Sequence, residues 1–377
     1  MKTIALLSAG MLIYIYFGYC AILRLFSKRA SSADNPTPTT PHAITVLITA
    51  HNEAHSIAAR IQNVLSCDYD GPPVQILVGS DGSTDGTDEI VNSYKNPNVQ
   101  LFRPQFRVGK SDTQNQAISH VTGEIVVFTD ADTQFSTEFL REIARPFQNH
   151  TVGAVDGHLI FLSNGTSEEI SRAQGTYWAQ ELLIRERESA LGTLAVVSGA
   201  CFAVRKSLLK PIPADVGEDC VVPLQVVSQG FLVVHASKAV AFDYAASESR
   251  SEFRGRVRTT LRNWQGTFLY VHLLNPFRHT GYALALWSHK ILRWLSPVFL
   301  VTWIFAAIVS SSAFSRLSLL TTVPATLFCA AGCVVCILPS FRILPGLRYI
   351  WAFLVLNAGL ATGLWKVVLG RTITFYR

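Results

Sequence analysis

Charge is scarce in this chain. Only 15% of its 377 residues are Asp, Glu, Lys or Arg, against roughly 25% in a typical soluble domain. That shortage excludes an ordinary soluble protein, and the mean hydropathy of +0.28 agrees. Cysteine is equally uninformative. Seven are scattered without a disulfide framework, which excludes a stapled secreted scaffold and suits a cytosolic main domain. Three of them, Cys329, Cys333 and Cys336, lie inside a hydrophobic run, where small thiols pack readily, so Cys333-Val-Val-Cys336 reads as packing rather than as a redox or metal pair. There is no internal repeat. The net charge of +6 does not point to nucleic acid, because no reading motif accompanies it and much of the excess flanks the hydrophobic runs.

What the chain has instead is concentrated apolarity. Ile4 to Leu23, Trp294 to Ser315, Leu317 to Phe341 and Tyr349 to Trp365 are free of charge. The first three reach the roughly 20 residues that a bilayer core requires, and the last sits near the lower limit of about 17. Arg24, Lys28 and Arg29 follow the first run. The positive-inside rule therefore predicts a cytoplasmic main domain, with the N-terminus outside. A cleaved signal peptide is the alternative, disfavoured by bulky Tyr14, Tyr16 and Tyr19 where small residues would mark a cleavage site. Lys290 and Arg293 before the second run, and Arg342 and Arg348 after the third, predict cytoplasmic positions there too. The fourth run is followed by Lys366, Arg371 and Arg377, so both a crossing and an interfacial or re-entrant segment stay open. The expected organisation is an N-terminal membrane helix over 1–25, a linker over 26–42, an α/β domain over 43–250, an amphipathic interface region over 251–290, and a membrane region of two to three spans over 291–377. The predicted location is the inner membrane, as a multi-pass protein.

Residues 30 to 42 are a Pro/Thr/Ser-rich linker. After it, short apolar strands alternate with helical patterns. Strands are expected over Ala43–Ala50, Val74–Gly79, Val99–Arg103 and Glu124–Thr129. Helices are expected over Glu53–Cys67, Asp85–Tyr94 and Lys110–His120. Such alternation predicts βαβ units and a mostly parallel, Rossmann-like sheet. Ligands then bind beyond the carboxyl ends of the strands. Downstream, strands are expected over Val152–Phe161, Val196–Arg205 and Phe231–Phe242, with helices over Ser167–Ser189, Glu218–Gln229 and Arg250–Val271.

Four acidic motifs run along this framework: Asn52-Glu53, Asp81-Gly-Ser-Thr-Asp85, Asp130-Ala-Asp132 and Glu218-Asp219. Alone, each would pass for a turn, a helix cap or a solvated carboxylate. The first three all follow a predicted strand, which places them at one site. Asp130 and Asp132, one residue apart at a strand end, can share Mg²⁺ or Mn²⁺ and leave positions open for phosphate oxygens. Asp81 can accept hydrogen bonds from a nucleobase or ribose, with Asn52 and Glu53 gripping the same nucleoside and His51 shaping the turn. Lys110 at a helix start can present its cation to a diphosphate. Glu218-Asp219 can serve as a general base for an acceptor hydroxyl. On Arg250–Val271, Phe253, Val257, Leu261 and Trp264 form an apolar stripe beside the cationic row Arg254, Arg258 and Arg262. That helix fits the membrane surface, its arginines reaching lipid phosphates or a diphosphate.

With these residues in place, the chain resembles the membrane-bound family 2 glycosyltransferases, with a GT-A type catalytic domain. More narrowly it resembles the bacterial exopolysaccharide branch related to poly-N-acetylglucosamine and cellulose synthase catalytic subunits. The carrying motifs are Val46-Leu-Ile-Thr-Ala-His-Asn-Glu53, Val78-Gly-Ser-Asp-Gly-Ser-Thr-Asp-Gly-Thr87, Glu124-Ile-Val-Val-Phe-Thr-Asp-Ala-Asp-Thr133, Ser198-Gly-Ala-Cys-Phe-Ala-Val-Arg205 and Glu218-Asp-Cys-Val-Val-Pro-Leu224. The resemblance implies that Asn52, Glu53 and Asp81 contact the nucleoside, most often uridine. It implies that Asp130 and Asp132 hold the diphosphate and metal, and that Asp219 is the catalytic base. It places Arg258 and Arg262 near the diphosphate or acceptor end, and Ser198 and Gly199 in the acceptor pocket.

One departure matters. Processive synthases of this superfamily carry Gln-x-x-Arg-Trp at the membrane-proximal helix. Here Trp264 is present, but Thr260 and Asn263 replace the Gln and Arg. The expected activity is therefore inverting, metal-dependent transfer of one or few sugars from a nucleotide diphosphate sugar, most often a UDP-sugar. The expected acceptor is a lipid-linked or otherwise membrane-associated glycan, with partner proteins of a polysaccharide pathway in attendance. The alternatives are a processive polysaccharide synthase and a non-catalytic nucleotide-sugar-binding partner of an assembly complex. A transporter is disfavoured by the lack of polar residues inside the runs.

Overall fold

The computed structural model describes residues 1–26, 41–162, 168–194, 196–244, 249–310 and 316–372. The first half of the catalytic region follows directly from its apolar runs. β1 (Ile44–Ala50), β2 (Gln75–Ser80), β3 (Val99–Phe102) and β4 (Ile125–Asp130) pair in parallel, in the order β3-β2-β1-β4. β1, β2 and β4 are almost wholly buried. A parallel sheet is covered on both faces, so its central strands read as unbroken hydrophobic runs rather than alternating ones. One apolar layer holds Ile48, Ile61, Val78 and Val127; the opposite layer holds Leu47, Leu77, Val126 and Phe128.

The second half is mixed. β5 (Gln134–Phe135), β6 (Val152–Leu162), β7 (Phe202–Arg205) and β8 (Leu232–Tyr244) extend the sheet to eight strands, β3-β2-β1-β4-β7-β6-β8-β5. β7 runs antiparallel to both β4 and β6, β5 runs antiparallel to β8, and β6 runs parallel to β8. The strand expected over Val196–Arg205 is shorter than its apolar pattern suggested. Only Phe202–Arg205 is extended, because the Ser198 amide turns aside to donate to the Asp156 carboxylate at 2.7 Å.

The apolar ends form helices. Lys2–Phe26 is one helical run, and the expected linker lies outside the described residues up to position 40. The run expected to span from Trp294 to Ser315 begins at a break between two helices and is one helix over Ser296–Ser310. Thr280–Trp294 and Ser296–Ser310 meet at a 59° bend, and residues 311–315 lie outside the described set. Pro297, just inside the second segment, cannot donate the backbone bond that would continue the first. Arg316–Ile337 and Pro345–Val368 follow. Among the described residues, three helices are long and apolar enough to cross a membrane, or up to four if the bent pair is one span. At 24 residues, Pro345–Val368 exceeds its 17-residue charge-free run. It packs along the interface helix Ser249–Leu269, and two glycines permit the approach. A Cβ at Gly363 would sit 2.7 Å from the Thr260 Cβ, and one at Gly359 would sit 2.7 Å from the Arg256 Cβ.

Candidate functional site

The parallel ladder sets the site. Ala50 lies opposite Ser80 and Thr49 opposite Asp130, so β1, β2 and β4 end at one level and deliver their following residues to one edge. A cavity of about 500 Å³ opens there, lined by His51, Glu53, Asp81, Asp130 and Asp132. From the other side it is closed by Gly199, Glu218, Asp219, Arg258 and Arg262. The three strand-end motifs thus meet the fourth motif, which arrives 86 positions after Asp132 in sequence, at Glu218.

Two of the motif residues are also occupied by the chain itself. Asn52 adopts a left-handed backbone (φ 59°), and its side-chain oxygen accepts the Thr84 amide at 2.9 Å. It locks the Asp81–Thr87 loop and is absent from the cavity lining. The buried Asp81 carboxylate accepts the amides of Val108 at 2.8 Å and Gly109 at 3.0 Å, and the Thr113 hydroxyl at 3.2 Å. Arg107, not anticipated from the sequence, lies 3.8 Å from the same carboxylate and lines the cavity. Glu53 faces the cavity while accepting from the Ser56 hydroxyl at 2.6 Å. His51 holds the Asp81 carbonyl at 2.8 Å, the shaping role expected of it.

Carboxylates crowd the end of β4. Protein packed around Asp132, and then the charge of Asp130, push its carboxyl above the usual range although the side chain reaches solvent through the cavity mouth. Asp243, at the end of β8, is pushed up to about 6 by burial and by Asp132 and Asp130. Its position after a long strand was the one sequence signal available for it. Mutual repulsion of this kind is relieved by a cation, and an all-oxygen donor set suits a hard divalent ion. Among the described residues no three His, Cys, Asp or Glu side chains gather tightly enough to hold a metal alone. Two carboxylates with remaining positions left to phosphate and water is the usual arrangement for Mg²⁺.

Lys110 ties this end to the last motif. Its ammonium lies 2.6 Å from Asp130 and 2.5 Å from Glu218. Glu218 is buried, which opposes its charge, but Lys110 and Arg262 more than offset that and hold its carboxyl below the usual range. Its neighbour goes the other way. Burial, and then the Glu218 charge, raise Asp219, with Lys110, Arg262 and Lys290 pulling partly back. The two adjacent carboxyls are thus shifted in opposite directions, Glu218 down and Asp219 up. Gly217 is where the chain turns into this helix. A Cβ there would collide with the Asp219 carboxylate.

The interface helix supplies the opposite wall. Arg258 and Arg262 line the cavity, and Arg262 donates to the Ser111 hydroxyl at 2.9 Å and to the Val216 carbonyl. Its apolar stripe, Val257, Leu261 and Trp264, is buried. Trp264 does not reach either of the two principal cavities. It packs with Trp294, Ile291 and Leu360, its ring 5.3 Å from that of Trp294. Ser198 and Gly199 sit on the loop before β7, held by the buried Asp156–Arg185 pair. Arg185 donates to Asp156 at 3.1 Å and to the Ser198 hydroxyl at 2.7 Å. Neither Asp156 nor Arg185 was legible in advance, since they lie 29 positions apart in a strand and a helix.

Known proteins resemble this chain in sequence and in fold. Residues 45–212 match the family described as Glycosyl transferase family 2. An N-acetylglucosaminyltransferase of Mesorhizobium japonicum is 25% identical over 262 residues, 65% of this chain and 61% of that protein. A poly-beta-1,6-N-acetyl-D-glucosamine synthase of Staphylococcus epidermidis is 27% identical over 172 residues, covering 45% of this chain and 41% of that one. The chain spans less than two thirds of the length of these relatives. A mannosyltransferase from Pyrobaculum calidifontis, solved with GDP-Man and Mn²⁺, superposes with a TM-score of 0.73 over 98% of this chain and 99% of its own, at 22% identity. The fold is therefore GT-A, and residues 45–212 are similar to glycosyl transferase family 2.

Proposed function

We propose that the protein transfers a sugar from a nucleotide diphosphate sugar, a UDP-sugar by preference, to a hydroxyl of a membrane-associated or lipid-linked acceptor, with inversion. The observation that carries this reading is Asp219. It is the raised carboxylate of an opposed pair and borders the cavity that contains the strand-end acids. In the proposed step Asp219 takes the acceptor proton, the acceptor oxygen bonds to the anomeric carbon, and the carbon–oxygen bond to the diphosphate breaks. The nucleoside diphosphate leaves with the bonding electrons. Asp130 and Asp132 would hold Mg²⁺ or Mn²⁺, which neutralises departing diphosphate charge when bound. Lys110, Arg258 and Arg262 add fixed positive charge on the leaving-group side.

The nucleoside falls to Glu53, Arg107 and Asp81, with Asn52 acting through the loop it locks. Ser198 and Gly199 border the acceptor. The catalytic region lies on the cytoplasmic face of the inner membrane, where nucleotide sugars are made. Partner proteins of a polysaccharide pathway belong to the same proposal. Burial of Trp264 in a packing cluster favours addition of one or few sugars over seating of a growing polymer. The test is product mass spectrometry after incubating the purified chain with a panel of nucleotide sugars and host lipid extract. A product one sugar heavier, absent with Asp219→Asn, is expected. Long polymer, or unchanged transfer by that variant, overturns the reading.

A further inference from the structure

A second cavity, of about 410 Å³, opens on the other side of Asp219. It shares Gly199, Asp219, Thr259 and Asn263 with the first, so the two meet at the proposed base. Its lining differs in kind. Part of it is apolar and comes from the hydrophobic end of the chain: Leu356 and Leu360 of the last helix, with Leu286 and Trp294 of the bent pair. The lining also carries four cations, Arg185, Arg256, Lys290 and Arg293, and two carboxylates, Glu181 and Asp219 itself.

The buried Glu181 carboxylate is heavily shared. It accepts from Arg185 at 3.3 Å, Lys290 at 3.3 Å, Arg293 at 2.8 Å and His289 at 3.0 Å. Behind the wall, Asp156 answers Arg185, and Glu188 answers His289 and the Tyr19 hydroxyl. Among the described residues lining the cavity, cations outnumber carboxylates four to two. Arg293 lines the cavity, and its Nη1 serves Glu181 and the Tyr177 hydroxyl; its buried Nε–H has no partner among the described residues.

We infer that this cavity takes an amphiphile: an apolar chain against Leu356, Leu360 and Trp294, joined to an anionic oxygen group, phosphate or carboxylate, held by Arg256, Lys290 and Arg293. The acceptor hydroxyl then lies toward Asp219, with Thr259 and Asn263 at the junction. The inference rests on the transfer reading for its purpose, but its binding test does not depend on transfer.

The full chain in a neutral detergent is titrated with dodecyl phosphate, dodecanoate and dodecyl glucoside, and binding is read by native mass spectrometry. One or both anions should bind at least about tenfold tighter than the glucoside, and the tighter one names the head group. Arg256→Gln with Lys290→Gln should erase that preference, Arg256→Lys should retain it, and Leu360→Trp should weaken all three ligands by filling the apolar end. A circular dichroism melt checks that each variant is folded. Equal binding of charged and uncharged ligands, or a preference that survives the double variant, overturns the inference. UDP is titrated in parallel. Loss of UDP binding alone defeats the donor reading, and loss of anion preference alone defeats this one.

Discussion

The two cavities beside Asp219 are built by opposite means. The proposed donor side is made by a ladder: parallel strands in register bring three short motifs to one level, and its chemistry is carboxylate-rich. The proposed acceptor side is made largely by helix packing, draws on residues more than a hundred positions apart, and is lined by cations and apolar side chains together. Strand register is rigid, so it suits a charged ligand of constant shape. A helix-lined cavity can differ between relatives without disturbing that register. On the proposed reading, the difference separates donor binding from acceptor choice.

The largest expected effect tests the donor half. Asp130→Asn with Asp132→Asn should weaken metal-dependent nucleotide-sugar binding on the order of 10²-fold, read by calorimetry with and without Mn²⁺. Dodecyl phosphate binding should not change. Equal loss of both would mean that the two cavities are one site.

The converse comes from the helix side. Gly363→Leu forces a side chain toward the Thr260 Cβ and should cost about 1–3 kcal/mol by overpacking, read in a thermal melt. Transfer should fall while nucleotide affinity holds. Retained transfer would show that the last helix is not a wall of the acceptor side.

A finer test is electrostatic. Asp219 must be ionised to act as a base, and its raised carboxyl means activity is lost, as pH falls, at a higher pH than an ordinary aspartate would give. Glu218→Gln removes the charge that helps raise it, so the acid limb of the rate profile should move to lower pH. Arg262→Gln removes a charge that pulls it down, so the limb should move to higher pH. Shifts in the same direction would contradict the opposed-pair account. For stability the same pair splits by sign. Glu218, held low, contributes above its ordinary value and loses that contribution as pH falls through its depressed one. Asp219, held high, favours the fold below its ordinary value and loses that contribution as pH rises through its elevated one. The smallest expected effect is Gly217→Ala, which displaces the Asp219 carboxylate and should lower the maximal transfer rate without altering nucleotide affinity.

The donor half was largely legible in the sequence because its geometry is periodic. Apolar runs of strand length followed by Asn52, Asp81 and Asp130 place those residues at one edge once the strands pair in parallel. What periodicity does not carry is side-chain direction. Asp81 spends its carboxylate on Val108, Gly109 and Thr113, and Trp264 turns into a packing cluster. Pro297 is visible in the sequence and marks the bend where the second apolar run begins, which hydropathy alone does not show. The acceptor side was not legible, since Glu181 and Arg293 meet across 112 positions and no local pattern announces the pairing.

The central claim is that one carboxylate serves both cavities. Single-turnover transfer by Asp219→Asn, with donor binding measured on the same sample, tests it most directly. The account predicts transfer reduced roughly 10²- to 10⁴-fold with nucleotide-sugar affinity essentially intact. Transfer at the wild-type rate, or donor affinity lost in step with it, would contradict the claim.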